Sequence, residues 1–213
     1  MTSAGVRHPM FARLYAWGAP RAERHGMAEL RRELVEGLSG RVLEVGAGIG
    51  LSFRHYPAAV AELVAIEPEL HLRERAEQAA AHAPIPVRVL DGVAERLPVV
   101  DASFDAAVVA LVLCSVRDQA QALRELWRAL RPGGELRFHE HVRAEAGTGL
   151  ACVQAALDPV WPHLAGGCHL RRDTLAAIEQ AGFALERVRR FRFSASLVDR
   201  PTSFQVLGAA RKP

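Results

Sequence analysis

The sequence predicts a single α/β domain built on a seven-stranded, mostly parallel sheet with one antiparallel edge strand and helices on both faces. Three observations carry this. Short runs rich in Val, Ile and Leu alternate with helical stretches, the pattern of a parallel sheet wrapped by helices. Residues 104–113 are apolar almost throughout, as a central strand covered on both faces must be. The chain has 213 residues, enough for one large shared core and too few for two typical domains.

The elements follow in order. Residues 1–37 read as helical, most clearly over 20–37, and precede the sheet as a flap over one end of it. Residues 41–45 (Arg-Val-Leu-Glu-Val) form a first strand that runs straight into glycines, with a helix expected behind them. Residues 62–66 form the second strand, and a helix over 70–83 ends before Pro84, which cannot continue it. Residues 87–90 are the third strand and 104–113 the fourth. The helix over 119–130 stops at Arg131-Pro132-Gly133-Gly134, and residues 135–142 are the fifth strand. Residues 150–164 read as a helix broken at Pro159, and 173–181 as a helix closed by Gly182. Residues 183–193 and 203–210 are two further strands with a short connection at 199–201, spaced to pair antiparallel at one sheet edge.

Composition narrows the class. Half the residues are apolar and about a quarter charged, as in an ordinary globular protein. Three cysteines with no CxxC spacing argue against a disulfide scaffold and a zinc ribbon. The longest apolar run, 104–116, contains Asp105 and is too short to span a bilayer. The N-terminus lacks the basic-then-apolar pattern of a signal peptide, so a reduced, cytoplasmic protein is expected. The net charge is +3, and Lys212 is the one lysine. The arginines are interspersed with Asp and Glu, and Arg187, Arg189, Arg190 and Arg192 alternate with apolar residues like the solvated face of a strand. Nucleic acid is therefore not an expected partner.

Val42-Leu43-Glu44-Val45-Gly46-Ala47-Gly48-Ile49-Gly50 is the most informative segment. Glycines at the carboxyl end of a first strand let a ligand approach backbone that any Cβ would shield. The spacing is GxGxG; the dinucleotide fingerprint GxGxxG needs a glycine where Leu51 stands. Glu44, two residues before the first glycine, favours a ligand with positive charge over a pyrophosphate. Glu67 ends the second strand about twenty residues later, where a carboxylate can accept both hydroxyls of a ribose.

Further segments are distinctive: Leu111-Val112-Leu113-Cys114-Ser115-Val116, Leu130-Arg131-Pro132-Gly133-Gly134, Glu140-His141-Val142, Leu157-Asp158-Pro159 with Trp161, and Gly167-Cys168 with Leu170 and Arg172. With these segments the chain resembles class I S-adenosylmethionine-dependent methyltransferases over nearly everything after Gly37. Within them it is most similar to the methyltransferase-like 7 group, whose animal members are thiol methyltransferases. The resemblance implies the Rossmann-like class I methyltransferase fold, S-adenosylmethionine as methyl donor and S-adenosylhomocysteine as product. It implies donor contacts at Glu44, Gly46, Ala47, Gly48 and Gly50, at Glu67 and Pro68, at Val93, Ala94 and Glu95, and at Ala110 and Leu111. It divides the chain into a lid segment (1–37), a cofactor-binding core (38–145) and an acceptor side (146–213). Two departures stand out. The hydrophobic N-terminal anchor of the animal enzymes is missing. Val93 also replaces an acidic residue found in many relatives, which shifts the adenine contact to the backbone at Ala94 or to Asp91.

Methyl transfer from a sulfonium needs alignment and exclusion of water more than a dedicated base. A thiol acceptor supplies some thiolate near neutral pH. His139-Glu140-His141 ends near the expected methyl position, with strand alternation placing the two histidines opposite Glu140. His141 is the candidate acid/base or thiolate-stabilising residue, and hydrogen bonding to a neighbouring loop is its alternative role. Asp158 lines the acceptor pocket or caps a helix. A metal reading of His139 and His141 with Cys168 and His169 lacks a convincing ligand spacing, and no metal is expected. Tyr15 and Trp17 are candidate lid aromatics. The expected acceptor is a small molecule, with a thiol first and a phenolic, hydroxyl or lipid amine acceptor second. The apolar residues around Trp161 and the basic N-terminal segment would suit weak association with a membrane surface.

Overall fold

The computed structural model describes residues 9–196 and 198–213, with residues 9–11 described by backbone alone. The first residues of the basic N-terminal segment, with Arg7 and His8, lie outside the described residues.

Seven strands form one sheet: β1 (Gly40–Val45), β2 (Val60–Ile66), β3 (Val87–Leu90), β4 (Phe104–Ala110), β5 (Leu130–His141), β6 (Ala184–Arg192) and β7 (Phe204–Arg211). Their order is β3-β2-β1-β4-β5-β7-β6. Pairs up to β5 are parallel, and β7 runs antiparallel between β5 and β6. The antiparallel strand therefore belongs to the edge pair, and β6 carries the free edge. The chain crosses from the β3 edge back to the centre at β4. The carboxyl ends of β1 and β4 thus form a switch point, where open α/β sheets bind ligands.

Central strands bury both faces, which is why they read as largely apolar runs. Ala107, Val108 and Val109 of β4 and Leu43 and Val42 of β1 have no exposed surface. On one face they pack against α4 (Gln119–Ala129) and α7 (Thr174–Gln180), with Leu123, Leu126 and Ile178 fully buried. The other face is covered by α2 (Ala28–Val35) and α3 (Leu70–Ala80), which contribute Leu30, Leu34 and Ala76. Asp118, Asp173 and Glu69 cap α4, α7 and α3 by accepting backbone N–H groups of the first turn. Trp127 at the end of α4 meets Phe183 edge-on at 4.9 Å.

Several boundaries differ from the sequence expectation. No α-helix stands behind the glycine loop, only a 3₁₀ turn at Phe53–His55. Its Phe53 ring lies where a side chain at Gly50 would project. β5 starts at Leu130, because Leu130 pairs with Phe104 before a bulge absorbs the Pro-Gly-Gly segment. The helical reading over 150–164 resolves into α5 (Gly149–Leu157) and a short α6 (Trp161–Leu164) on either side of Pro159. The β6–β7 connection spans 193–203 with a 3₁₀ turn at Arg200–Thr202. At the N-terminus α1 (Pro9–Ala22) joins α2 through a π-helical turn in which Gly26 takes φ +115°, a left-handed value glycine adopts at little cost. Among the described residues, no helix is long and apolar enough to cross a membrane.

Candidate active site

The carboxyl end of β1 turns through Gly46, Gly48 and Gly50 at φ +75°, +59° and +77°, which explains three glycines in five residues. Gly46 and Ala47 donate their N–H groups to Ile66 O at 2.8 and 3.1 Å, tying the loop to the end of β2. A Cβ on Gly46 would run into Val112 from the turn after β4. Gly48 N donates to Glu67 Oε2 at 2.8 Å and Glu69 N to Glu67 Oε1 at 3.0 Å. Glu67 is buried, and burial pushes its carboxyl up to about 7 against those two N–H donors. One oxygen of the carboxylate thus faces the glycine loop and the other faces the turn after β2. Glu44 turns its carboxylate into a buried network below the loop, accepting the Tyr56 hydroxyl at 3.0 Å. Arg31 belongs to that network, donating to Glu23 at 2.8 Å and to Ser52 at 3.1 Å. Burial pushes the Glu44 carboxyl up, with Ser52, Arg31 and Tyr56 opposing.

The other residues carried over for the donor lie along the same edge. Pro68 follows Glu67, and Arg73 donates to the Pro68 carbonyl at 3.2 Å and to Asp91 at the same distance. Val93 and Arg96 form a small bridge around Ala94, and Glu95 accepts Arg117 N at 2.9 Å, holding the approach to α4. Ala110 ends β4, and Leu111 takes φ +60°, with its N–H donating to His139 O at 2.7 Å.

What keeps Leu111 in that unfavoured conformation is Glu140, which sequence reasoning passed over. The Glu140 side chain is fully buried and accepts three consecutive N–H groups, from Val112 and Leu113 at 2.9 Å and from Cys114 at 3.0 Å. The turn it grips carries Cys114 to the end of β5. There His141 Nδ1 lies 3.8 Å from Cys114 Sγ and 3.5 Å from Cys168 Sγ. A hydrogen bond with Cys168 and burial push the Cys114 thiol well up, so it is a neutral thiol. The Cys168 loop is pinned to the same turn by His169 N donating to Cys114 O at 2.8 Å. A Cβ on Gly167 would collide with Ser115 O, which accounts for that glycine. Asp158 accepts Leu170 N at 2.6 Å and so braces this loop. Arg172 donates to the carbonyls of Leu113 and Val116, both at 2.6 Å.

His139 and His169 are not part of the group. His139 is buried against Gln205 Oε1 at 2.7 Å, stacks on Phe191, and is driven down to about 3 by burial, so it is neutral. The pairing of His139 and His141 with His169 weighed from sequence is therefore not the one the fold assembles; Cys114 takes their place beside Cys168.

α1 lies over the glycine loop. Ala12, Ala16 and Ala19 pack on Ile49 and Leu72, and the Tyr15 ring stands against Gly48. Trp17 faces outward, 76% exposed, and is not packed on the loop. A cavity of about 440 Å³ opens beyond β5, among Val142, Glu145, Gln154, Arg171 and Phe204.

The methyltransferase domain family matches residues 43–138, from β1 through β5. The human thiol S-methyltransferase TMT1A is 38% identical over 169 residues, covering 74% of this chain and 69% of that protein. The human thiol S-methyltransferase TMT1B is 33% identical over 191 residues, covering 84% and 78%. Among solved structures, a SAM-dependent methyltransferase from Thermotoga maritima shares the fold, with a TM-score of 0.70 at 23% identity over 96% of this chain and 97% of that one. The glycine cradle and the paired oxygens of Glu67 fit such a donor. The chain is an S-adenosylmethionine-dependent methyltransferase and belongs to the class I group that contains TMT1A and TMT1B.

Proposed function

We propose that this chain methylates the sulfur of a small thiol. The observation that carries the reading is its identity with two human thiol S-methyltransferases over more than two thirds of each protein. The grouping of His141 with Cys114 and Cys168 at the carboxyl ends of β4 and β5 supports it, since it puts an imidazole able to take a thiol proton at the ligand-binding end of the sheet. Three free cysteines suit work in a reducing, cytoplasmic setting.

When bound, S-adenosylmethionine supplies a methyl group on a sulfonium, with a neutral thioether as leaving group. The chain provides position. The backbone at Gly46, Ala47, Gly48 and Gly50 admits close approach, Glu67 accepts the ribose hydroxyls, and Pro68, the 93–95 turn, Ala110 and Leu111 line the remainder. Glu44 braces the loop from below through Tyr56. With the donor bound, the chain would hold an acceptor sulfur against the methyl group at the carboxyl ends of β4 and β5, with His141 placed to take the thiol proton. His141 meets that sulfur, and Asp158 fixes the loop that carries Cys168.

A screen of thiols, phenols, amines and phospholipids as acceptors tests this. S-methyl products are expected, at rates that rise with pH toward the acceptor thiol's own pKa, because the thiolate is the nucleophile. Methylation of a phenol or lipid amine with none of any thiol would overturn the thiol assignment and leave the methyltransferase in place.

Glu67 gives a separate pH prediction. Its raised carboxyl contributes stability to the free protein at low pH that is lost as pH rises through about 7. Ribose hydroxyls favour the ionised carboxylate, so ligand binding lowers this pKa and affinity must rise with pH. Adenosine, which does not itself titrate here, should bind about tenfold more tightly at pH 8 than at pH 6. Glu67→Gln should bind weakly with a flat profile. A wild-type affinity independent of pH over that range would remove Glu67 from the ribose site.

A further inference from the structure

Two buried thiols and an imidazole converge at the carboxyl ends of β4 and β5. Cys114 and Cys168 are 1% and 5% exposed. Their Sγ atoms and His141 Nδ1 all lie within 4.8 Å of one another. We propose that Cys114, His141 and Cys168 form a binding site for a zinc-class metal ion, with its fourth position directed to the acceptor.

The geometry matches the ion. Tetrahedral zinc with Zn–S of about 2.3 Å and Zn–N of about 2.0–2.1 Å requires S···N separations of about 3.5 Å between its ligands. The two S···N separations are 3.5 and 3.8 Å, so an ion enters with small side-chain shifts. Two thiolates and an imidazole are a zinc donor set, and three protein ligands with one open position distinguish a reactive site from a closed structural one. The scaffold is already rigid. Glu140 clamps the Cys114 turn through three N–H groups, and the Asp158 carboxylate and the Gly167 contact fix the Cys168 loop. Such outer support is what holds metal ligands in register. Zinc with two thiolates is neutral overall, and an acceptor thiol that gives up its proton to solvent on binding becomes the fourth ligand as a thiolate, a nucleophile available below the thiol's ordinary pKa. That last role rests on the thiol reading above; the metal site does not.

The test uses the full chain, reduced and stripped with a chelator. Zinc titration against a chromophoric competitor should give one equivalent bound with sub-micromolar affinity. Cobalt(II) should produce the intense near-ultraviolet thiolate-to-metal absorption and strong visible bands of a tetrahedral sulfur site. Zinc should also protect two of the three cysteines from alkylation, which needs no variant. Cys114→Ser and Cys168→Ser should each weaken zinc binding at least about a hundredfold, while Cys152→Ser, at an exposed residue outside the group, leaves it unchanged. Absence of zinc binding, a cobalt spectrum insensitive to Cys114→Ser, or a Cys114–Cys168 disulfide in protein purified under reducing conditions would overturn the site. If zinc binds and the stripped enzyme methylates thiols as fast as the loaded one, the fourth-position role fails and the site stands. If neither form methylates any thiol, the failure belongs to the thiol reading.

Discussion

Gly48→Val abolishes measurable binding of S-adenosylmethionine and S-adenosylhomocysteine, a loss of at least about a hundredfold, or ~2.7 kcal/mol. Two effects combine. Gly48 sits at φ +59°, where a β-branched residue is strained by about 1–3 kcal/mol. Its Cβ would also project 3.0 Å from the Tyr15 hydroxyl, forcing α1 away from the loop proposed to hold the donor. The backbone N–H of the same residue orients Glu67, so distortion of the loop also disturbs the proposed ribose acceptor. Calorimetry reads the affinity, and circular dichroism shows that the fold persists. Gly147→Val is the matched control: Gly147 has φ +81° with nothing within 4 Å of a built Cβ. That variant should lose stability and keep donor affinity. Binding by Gly48→Val within tenfold of wild type would remove this loop from the donor site.

The largest stability effect is expected at Glu140. Replacing it with Ala strips three backbone N–H groups of their acceptor in a buried turn, and each orphaned donor costs about 1–3 kcal/mol. Partial rescue by water leaves an expected loss of about 3–5 kcal/mol by denaturant unfolding, which lowers Tm by roughly 10 °C in a chain of this size. Glu140→Gln keeps one accepting oxygen and should fall between the two. Leu111, no longer held at φ +60°, relaxes, so the remaining folded fraction should also bind the donor more weakly. A loss below about 1 kcal/mol would mean that the turn does not depend on this carboxylate.

The fold was largely legible because its signals are local. The nearly continuous apolar run of β4, the proline before β3, the Pro-Gly-Gly stop after α4 and Gly182 after α7 each speak for themselves within a few residues. The donor loop was legible for the same reason: three positive-φ positions demand glycine, and their spacing is written in one short segment. Boundaries failed where tertiary contacts decide. Nothing in residues 51–57 shows that the Phe53 ring packs on Gly50 in place of a helix, and only the Leu130–Phe104 pairing extends β5 through a Pro-Gly-Gly bulge. The acceptor end was least legible. His141 lies 27 residues from Cys114 and 27 from Cys168, beyond any local ligand spacing, and only the β4–β5 pairing and the folded-back 165–172 loop bring them together. Strand alternation set Glu140 apart from its neighbouring histidines but could not reveal the three N–H groups it accepts.

The covering of the glycine loop by α1 has an energetic consequence. The face α1 presents to the loop is made of the methyls of Ala12, Ala16 and Ala19 and the ring of Tyr15. Burying the three methyls contributes on the order of 2–3 kcal/mol to this seam. The kink at Gly26 that follows α1 is itself packed, with Glu23 and Met27 buried beside it. A seam of small residues gives up little apolar contact per residue when it separates, so the cost of parting α1 from the loop is set by few atoms.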